Sequence, residues 1–219
     1  DGYVADGYRR VKCKVEPGAD AEPIAAVRAR HPDLALAVDA NGSYTRDTAR
    51  ALTALDDLAL TMIEQPLADD DLLGHADLAR TLRTPLCLDE SITSAATAET
   101  ALALGACRIV NVKAGRVGGL LAAVRLHDVC RARDVPVWCG GMLESGIGRA
   151  AAVALAALPG FTLPADLSAS DRYYARDVVT TPFTLDDGCL AVPTGPGLGV
   201  DVDLDALESV TTAVLTLRR

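Results

Sequence analysis

Short apolar segments alternate with amphipathic segments along most of the chain. Six of the apolar segments have the composition of β-strands: RVKCKV, LALAVDA, TMIEQ, PLCLDE, RIVNVK and VPVWCGG. Helical patterns begin near Thr45, near Asp70 and after Gly119, and two more cover 94–105 and 146–158. Because a helix follows most of the strands, the pattern predicts a parallel sheet with right-handed crossover connections.

Charged residues recur at or near the ends of these apolar segments. Lys14, Asp39, Glu64 and Asp89 follow one another at intervals of 25 residues, and Lys113 comes 24 residues later. A repeat of this length, with one charged residue at the carboxyl end of each strand, is typical of a barrel built from βα units. Because the strand ends of such a barrel converge on one mouth, the five side chains are expected to meet there.

Side chains on a strand point alternately to the two faces of the sheet, which predicts the surroundings of each charged residue. If Asp39 points into the barrel, Ala37 does so too, and Val38 faces the helices. Lys12 then lies on the same face as Lys14. The mouth of the barrel is therefore expected to hold three carboxylates and three lysines.

Asp39, Glu64 and Asp89 offer hard oxygen ligands from the ends of successive strands. Such a set is typical of a site for Mg²⁺, or for Mn²⁺ or another divalent cation in its place. None of the three histidines falls at a strand end, so a zinc site is not expected. The alternative is that the acids cap helices or lie on the surface, but three acids at one spacing favour a metal site.

Lysines on two sides of the predicted metal site are candidates for proton transfer. Lys12 and Lys14 point into the mouth from one strand, and Lys113 reaches it from the opposite side. A nearby divalent cation and a second ammonium group both disfavour the charged form of a lysine, which can then accept a proton near neutral pH. The alternatives are a core of lysine–carboxylate salt bridges and a Schiff-base aldolase, which would need no set of metal ligands.

Two glycine-rich turns follow strands, at 115–119 (GRVGG) and 139–150 (CGGMLESGIGRA). Either turn could hold a phosphate at the N-terminus of the next helix. Neither matches a P-loop or a dinucleotide-binding fingerprint, and tight turns beside a substrate explain the glycines equally well.

Bulk composition excludes several classes of partner. With 219 residues, half of them hydrophobic, the chain has enough apolar surface for one α/β domain. A formal charge of −9 argues against nucleic acid and against an anionic membrane surface as partners. The six cysteines are scattered without a CxxC pair, and several lie in apolar segments, which is typical of buried thiols in a reducing cytoplasm.

Seven motifs together resemble one family: VKCKVEPG, VDAN, IEQPL, CLDES, NVKAGRVGG, WCGGMLESGIGRA and DLSASDRYY. The chain is similar to the muconate-lactonizing subgroup of the enolase superfamily, and within it to the o-succinylbenzoate synthase and N-acylamino acid racemase family. The resemblance implies a (β/α)₇β barrel with Mg²⁺ bound by Asp39, Glu64 and Asp89. It also implies that Lys14 and Lys113 form the acid/base pair and that Lys12 assists electrostatically. Candidate substrate contacts are Asn41, Gly141 and Met142.

The activity implied by the resemblance is Mg²⁺-dependent removal of the proton α to the carboxylate of a small molecule. Loss of water would then give o-succinylbenzoate, in menaquinone biosynthesis, whereas return of the proton on the opposite face would racemise an N-acylamino acid. Dipeptide epimerase, muconate cycloisomerase and an inactive barrel fragment are the alternatives. We also expect a homo-oligomer.

The family has an N-terminal α+β capping domain and a first barrel strand for which this sequence shows no counterpart. We therefore expect a barrel domain over 1–186, with six clear strands and a seventh near 161–166. A Gly/Pro-rich tail over 187–219 is expected to pack on the barrel or on the capping domain. Since a barrel without one strand exposes two unpaired edges, the chain alone is expected to be inactive, or stable only with the missing segment.

Overall fold

One parallel sheet organises the computed structural model, which describes residues 1–217. Its strands are β1 (Arg10–Lys14), β2 (Ala35–Asp39), β3 (Ile63–Glu64), β4 (Leu86–Leu88), β5 (Ile109–Val112) and β6 (Val137–Cys139). They lie in chain order across the sheet, and each pairs in parallel with the next. The six predicted strands and the predicted class, an α/β barrel fold of the enolase type, are confirmed, and the parallel sheet forms a half-barrel.

Helices precede, connect and follow the strands. They are α1 (Gly2–Ala5), α2 (Ala21–Arg30), a 3₁₀ helix (Thr48–Leu58), α3 (Leu72–Ala79), α4 (Ala95–Leu104), α5 (Ala114–Val117), α6 (Leu120–Arg131), α7 (Gly146–Ala156), a 3₁₀ turn (Ser170–Arg172) and α8 (Leu204–Val210). Capping explains the predicted bounds of α4, since the Ser94 hydroxyl accepts a hydrogen bond from the amide of Thr97 and Gly105 ends the helix in the left-handed conformation.

Two connections differ from the predicted pattern. The helix predicted near Thr45 is a 3₁₀ helix, whose buried residues Ala49, Leu52 and Leu55 recur every three positions. That spacing suits 3₁₀ geometry, in which residues i and i+3 lie directly above one another. The sequence pattern did not indicate α2, because Ile24 is the only buried residue of this helix and its amphipathic signal is therefore weak.

Apolar side chains pack on both faces of the sheet. Inside the barrel lie Ala37, Met62, Cys87, Ile109 and Trp138. Alternate strand residues, such as Val38 and Val110, pack outward against the helices. The predicted alternation is confirmed, and it places Asp39 on the same inner face as Ala37.

The segment after α7, predicted as a seventh strand, runs beside β6 without forming a regular strand. Two isolated parallel bridges join it to β6 and to the residue after β6, from Val137 to Phe161 and from Gly140 to Asp166. Its other side reaches β1, where the Arg10 guanidinium donates a hydrogen bond of 2.8 Å to the carbonyl of Pro164. The segment therefore lies between the two outer strands of the half-barrel.

Part of the predicted tail packs on the barrel. Leu190 and Val200 pack with Phe183 against Ala150 and Val153, which belong to α7. Residues 218 and 219 of the predicted tail lie outside the described residues. The division of the chain at residue 187 stays a prediction. Among residues 1–217, no helix combines the length and the apolar character that crossing a bilayer requires.

The cysteines are free thiols, and four of them are buried, as the sequence predicted. They are Cys87, Cys107, Cys130 and Cys139. Burial raises the pKa of each of these thiols, which therefore stay protonated and pack as small apolar groups. Cys13 is half-buried and Cys189 is exposed.

Candidate active site

The predicted charged residues meet at the carboxyl ends of the strands. Lys14, Asp39 and Glu64 are the last residues of β1, β2 and β3, whereas Asp89 and Lys113 directly follow β4 and β5. Parallel pairing sets the strand ends side by side, so Lys14 is in register with Asp39, and Asp39 with Glu64. The structure thus brings all five to one site, as the spacing predicted.

Lys12 forms the centre of a network of carboxylates. Its ammonium nitrogen lies 2.8 Å from an oxygen of Glu64, 3.0 Å from Asp39 and 3.2 Å from Asp166. Burial by itself lowers the pKa of Lys12, but the three carboxylates outweigh it and hold this pKa well above its ordinary value. Lys12 is therefore a fixed positive charge rather than a base.

Lys14 lies at the open side of the network. Its ammonium group donates a hydrogen bond of 2.8 Å to Asp39 and another to the side-chain oxygen of Asn41. The Asn41 amide in turn donates a hydrogen bond of 2.8 Å to Glu90. Burial opposes ionisation of Asp39, but Lys12 and Lys14 together lower its pKa below the ordinary value. Asp39 is thus an anion held between two ammonium groups.

Lys113 enters the site from the end of β5. In the order of the sheet, β5 is four strands away from β1, which carries Lys14. Its nitrogen lies 2.8 Å from Asp89, which is fully buried and also accepts a hydrogen bond from the Arg116 guanidinium. Asp89 therefore holds Lys113 in place, as Asp39 holds Lys14.

Glu64 lies deepest among the three acids. It is fully buried, and it accepts hydrogen bonds of 2.8 Å from Lys12 and from the Asn111 amide. Burial is the main reason that the pKa of Glu64 is raised to about 7, and Asp39 and Asp89 add to it against the opposing effect of Lys12. The site therefore carries more buried negative charge than Lys12 alone compensates.

The donor groups fit the predicted divalent cation in their chemistry. Within residues 1–217, no three His, Cys, Asp or Glu side chains are grouped closely enough to hold a metal ion, and the acids face ammonium and guanidinium groups instead. The three buried carboxylates nevertheless come from neighbouring strands, and the side-chain oxygen of Asn111 is buried without a hydrogen-bond partner. Oxygen-only donors of this kind suit Mg²⁺, and the metal site stays a prediction.

A cavity of about 520 Å³ opens above these residues. Its walls include Lys12, Lys14 and Lys113, together with the three candidate substrate contacts Asn41, Gly141 and Met142. Gly141 packs so closely on the backbone carbonyl of Asp166 that no side chain fits there. Close backbone packing thus accounts for this glycine independently of a substrate, and substrate binding by the three residues stays a prediction.

Several residues that complete the site were not predicted as functional. They are Arg10, Asn111, Arg116, Trp138 and Asp166. Trp138 forms the floor, with its ring centre 5.0 Å from the Lys12 nitrogen and 4.2 Å from the Arg10 guanidinium carbon. Strand alternation places Arg10 and Asn111 on the inner face, but no local signal in the sequence indicates Arg116, which lies in the short helix α5, or Asp166, which follows α7.

Gly140 gives Lys113 the space that it occupies. A Cβ atom at Gly140 would lie 2.5 Å from the Lys113 Cε atom and would also collide with the Asn111 amide. We expect Gly140→Ala to lower kcat by about 100-fold, since a displacement of about 1 Å has that effect on a reacting group. Gly115→Ala is the matched control, because a Cβ atom there meets no atom within 4 Å. Equal activity of the two variants would contradict this role of Gly140.

The sequence leaves two explanations open for the glycine-rich turn before α7, and a contact within the chain at the helix N-terminus favours the tight turn over a bound phosphate. The Gly146 amide at the start of α7 donates a hydrogen bond of 2.7 Å to the buried carboxylate of Asp177. Asp177 also accepts hydrogen bonds from the Ser170 hydroxyl, at 2.6 Å, and from the Val178 amide, at 2.7 Å. A carboxylate of the chain itself therefore occupies the helix N-terminus.

Asp177 should make stability depend on pH. Burial opposes its ionisation, but hydrogen bonds from Ser170, Gly146 and Val178 lower its pKa below the ordinary value of 3.8. The stabilisation is therefore complete above about pH 4 and is lost as the pH falls through the lower pKa of the folded state. We expect Asp177→Asn to reduce the free energy of unfolding by about 1–3 kcal/mol at pH 7.

Urea unfolding at pH 7 and at pH 3 would measure this effect, with the exposed Asp33→Asn as the control. The difference between wild type and Asp177→Asn should shrink at the lower pH. A difference that is the same at both pH values would mean that the charge of Asp177 does not stabilise the fold.

Comparison with known proteins gives consistent results. The family described as enolase C-terminal domain-like matches residues 1–206. An N-succinylamino acid racemase of Amycolatopsis sp is 59% identical over 213 residues, which are 97% of this chain and 58% of that protein. An o-succinylbenzoate synthase of Geobacillus kaustophilus is 53% identical over 95% of this chain and 56% of that protein.

Solved structures agree with these sequence relatives. A crystal structure of an enolase superfamily member from Listeria innocua superposes with a TM-score of 0.93 at 45% sequence identity. The match covers 97% of this chain and 57% of the other. The chain thus spans somewhat more than half the length of the proteins that it matches.

Proposed function

Because the chain belongs to the enolase C-terminal domain-like family, we propose that the protein containing it removes the proton α to a substrate carboxylate. In one form of the reaction a proton is then added on the opposite face, which racemises an N-acylamino acid. In the other form water is lost after the proton is removed, which gives o-succinylbenzoate. Relatives at 59% and 53% identity carry the names N-succinylamino acid racemase and o-succinylbenzoate synthase, which supports both forms of the reaction.

The observation that carries the proposal is where the chain uses lysine. Lys12, Lys14 and Lys113 are the only lysines among its 21 basic residues, and all three line the same cavity. The other 18 of these residues are arginines, three of which line the cavity as well. Arginine does not give up its proton in proteins, whereas lysine does so when its surroundings favour the neutral form. Every lysine of the chain therefore lines the cavity in which the proposed reaction transfers a proton.

The two outer lysines have the placement that a two-base reaction needs. Lys14 comes from β1 and Lys113 from the end of β5, and each is held 2.8 Å from a strand-end carboxylate. A substrate α-carbon in the cavity between them would lose its proton to one lysine and receive a proton from the other on the opposite face. In the dehydration, one lysine removes the α-proton and, in its ammonium form, returns that proton to the departing hydroxyl group, which leaves as water.

Lys12 has a different part in the proposed mechanism. Since neighbouring carboxylates keep it charged, it supplies a fixed positive charge to the substrate carboxylate, on which negative charge develops as the α-proton leaves. Asp39, Glu64 and Asp89 would hold Mg²⁺, which enzymes of this superfamily generally use. The bound ion would supply Lewis-acid stabilisation of the same developing charge.

Assays of the gene product that contains this chain would test the proposal. With Mg²⁺, we expect loss of optical activity from N-succinylamino acids, formation of o-succinylbenzoate by dehydration of its hydroxylated cyclohexadiene precursor, or both. Turnover confined to dipeptides or to muconate would favour the epimerase or cycloisomerase alternatives. Covalent trapping by borohydride in the presence of a carbonyl substrate would favour a Schiff-base aldolase and contradict the proposal.

A further inference from the structure

Gln65 links the ends of three neighbouring strands. It directly follows Glu64, the last residue of β3, and it is fully buried. Its backbone amide donates a hydrogen bond of 2.9 Å to the carbonyl of Cys87 in β4, and its carbonyl accepts one of 2.7 Å from the amide of Gly42, in the loop after β2. The backbone of Gln65 therefore ties the end of β3 to the chain on both of its sides.

The side chain of Gln65 holds the segment that carries Asp89. Its oxygen accepts hydrogen bonds from the backbone amides of Asp89, at 3.0 Å, and of Ser91, at 3.2 Å. Its nitrogen donates one of 2.7 Å to the Ser91 hydroxyl and one of 3.2 Å to the carbonyl of Leu67. Because backbone amides only donate, the oxygen of Gln65 has to face them, and this fixes the orientation of its side chain.

The backbone of Gln65 adopts a strained conformation. Its φ of 37° lies in the left-handed region, which few residues with a side chain adopt because the Cβ atom comes too close to the following carbonyl oxygen. Strained residues of this kind persist only where the surrounding structure holds them, and they cluster at functional sites. The hydrogen bonds to the neighbouring strand ends hold Gln65 in this conformation, which indicates a role in the placement of those ends.

We propose that Gln65 is a positioning residue for the predicted metal site, and that it keeps Asp89 at the separation from Asp39 and Glu64 that Mg²⁺ requires. This inference rests on the metal site of the proposed function. Gln65 acts through the backbone of Asp89 and does not itself touch the ion. Mg²⁺ demands near-ideal octahedral geometry with oxygens at about 2.0–2.1 Å, whereas Ca²⁺ accepts more flexible ligand sets at about 2.3–2.6 Å. Loosening Asp89 should therefore weaken the binding of Mg²⁺ more than that of Ca²⁺.

Gln65→Asn is the variant that tests this inference. Asn tolerates the left-handed conformation better than most residues, so the backbone should keep its course. The Asn side chain is one methylene shorter, however, and its amide cannot reach both backbone amides. We expect the affinity for Mg²⁺ to fall by about 10- to 100-fold, as is typical when a group that orients a metal ligand is lost. The affinity for Ca²⁺ should fall by less than about 3-fold, because Ca²⁺ tolerates a displaced ligand.

Two control variants separate positioning from stability. Gln65→Glu keeps the length of the side chain and an acceptor oxygen for both amides. The charge that it adds acts alike on two divalent ions, so the ratio of the Mg²⁺ and Ca²⁺ affinities should stay within about 3-fold of the wild-type ratio. Asp56→Ala removes a similar contact before the other end of β4, where the Asp56 carboxylate accepts hydrogen bonds of 2.8 Å from the amide of Thr84 and 3.1 Å from that of Arg83. This change should lower the stability and leave the ratio unchanged.

Calorimetric titration of the gene product that contains this chain, with Mg²⁺ and with Ca²⁺, would measure both affinities. Thermal unfolding at increasing concentrations of each ion gives the same ratio for a variant of low stability, since an ion that binds only the folded state raises the midpoint.

An unchanged ratio in Gln65→Asn, or an equal change in Asp56→Ala, would overturn the inference while leaving the proposed function intact. A wild type that binds Mg²⁺ but converts none of the proposed substrates would overturn the proposed function alone, and the ratio would still decide the inference. A wild type that binds no Mg²⁺ would overturn the predicted metal site and the inference together.

Discussion

Replacing Lys113 with alanine should lower the rate of racemisation by about 10³-fold or more. One enantiomer should nevertheless still exchange its α-proton with D₂O. Lys113 and Lys14 contact different carboxylates at different strand ends, so the loss of one leaves the placement of the other unchanged. The remaining Lys14 can then remove and return the proton on its own face only. Lys14→Ala should show the mirror-image preference.

Proton NMR in D₂O, with each enantiomer of an N-succinylamino acid, would measure the exchange. Arg125→Ala, an exposed change on α6, is a suitable control and should keep full racemisation. If either lysine variant exchanged both enantiomers at equal rates, the assignment of one lysine to each face of the substrate would be wrong.

Glu64→Ala should remove both turnover and much of the stability of the fold. Glu64 accepts hydrogen bonds from Lys12 and Asn111 in a fully buried position, and its removal leaves a buried ammonium group with fewer partners. Removing one member of a buried ion pair lowers the free energy of unfolding by about 3–5 kcal/mol. Glu64→Gln keeps the shape and should be less destabilising, but it should be equally inactive because it removes a charged oxygen ligand from the predicted metal site.

Urea unfolding and turnover, measured on the same preparations, would separate these effects. Added Mg²⁺ should raise the thermal stability of the wild type and not that of Glu64→Gln, since an ion that binds only the folded state stabilises it. Glu99→Ala, at an exposed position of α4, is the control for general loss of an acid. Near-normal activity of Glu64→Ala would rule out the assignment of the metal ligands.

The strand-end residues show why much of this site could be predicted. An interval of 25 residues fixes one βα unit, and the pairing of neighbouring strands then fixes which ends lie side by side. Asp39 and Glu64 are in register for this reason, and both point to the inner face because of the period of two. Because these are properties of backbone geometry, they can be inferred from residue spacing alone.

The choice of partners within the site depended on packing between distant segments. Spacing brings Lys12 to the mouth, but only the course of the chain after α7 brings Asp166 to 3.2 Å from it. In the same way, Asp177 reaches the start of α7 from a loop 31 residues further along the chain. Loop positions follow from contacts that have no period in the sequence, and sequence reasoning therefore left open whether the helix N-terminus holds a phosphate.

By itself, the sequence determined the order and direction of the strands, the inward residues and the set of acids and lysines at the mouth, because local periodicity encodes each of them. The tertiary structure decided that Lys12 lies between acids, that Arg116 shares Asp89 with Lys113, and that Arg172 lies on the cavity wall against the rings of three tyrosines. The physical reason is that backbone geometry repeats along the chain, whereas the ion pairs of a buried site depend on which distant side chains the completed fold brings within a few ångströms.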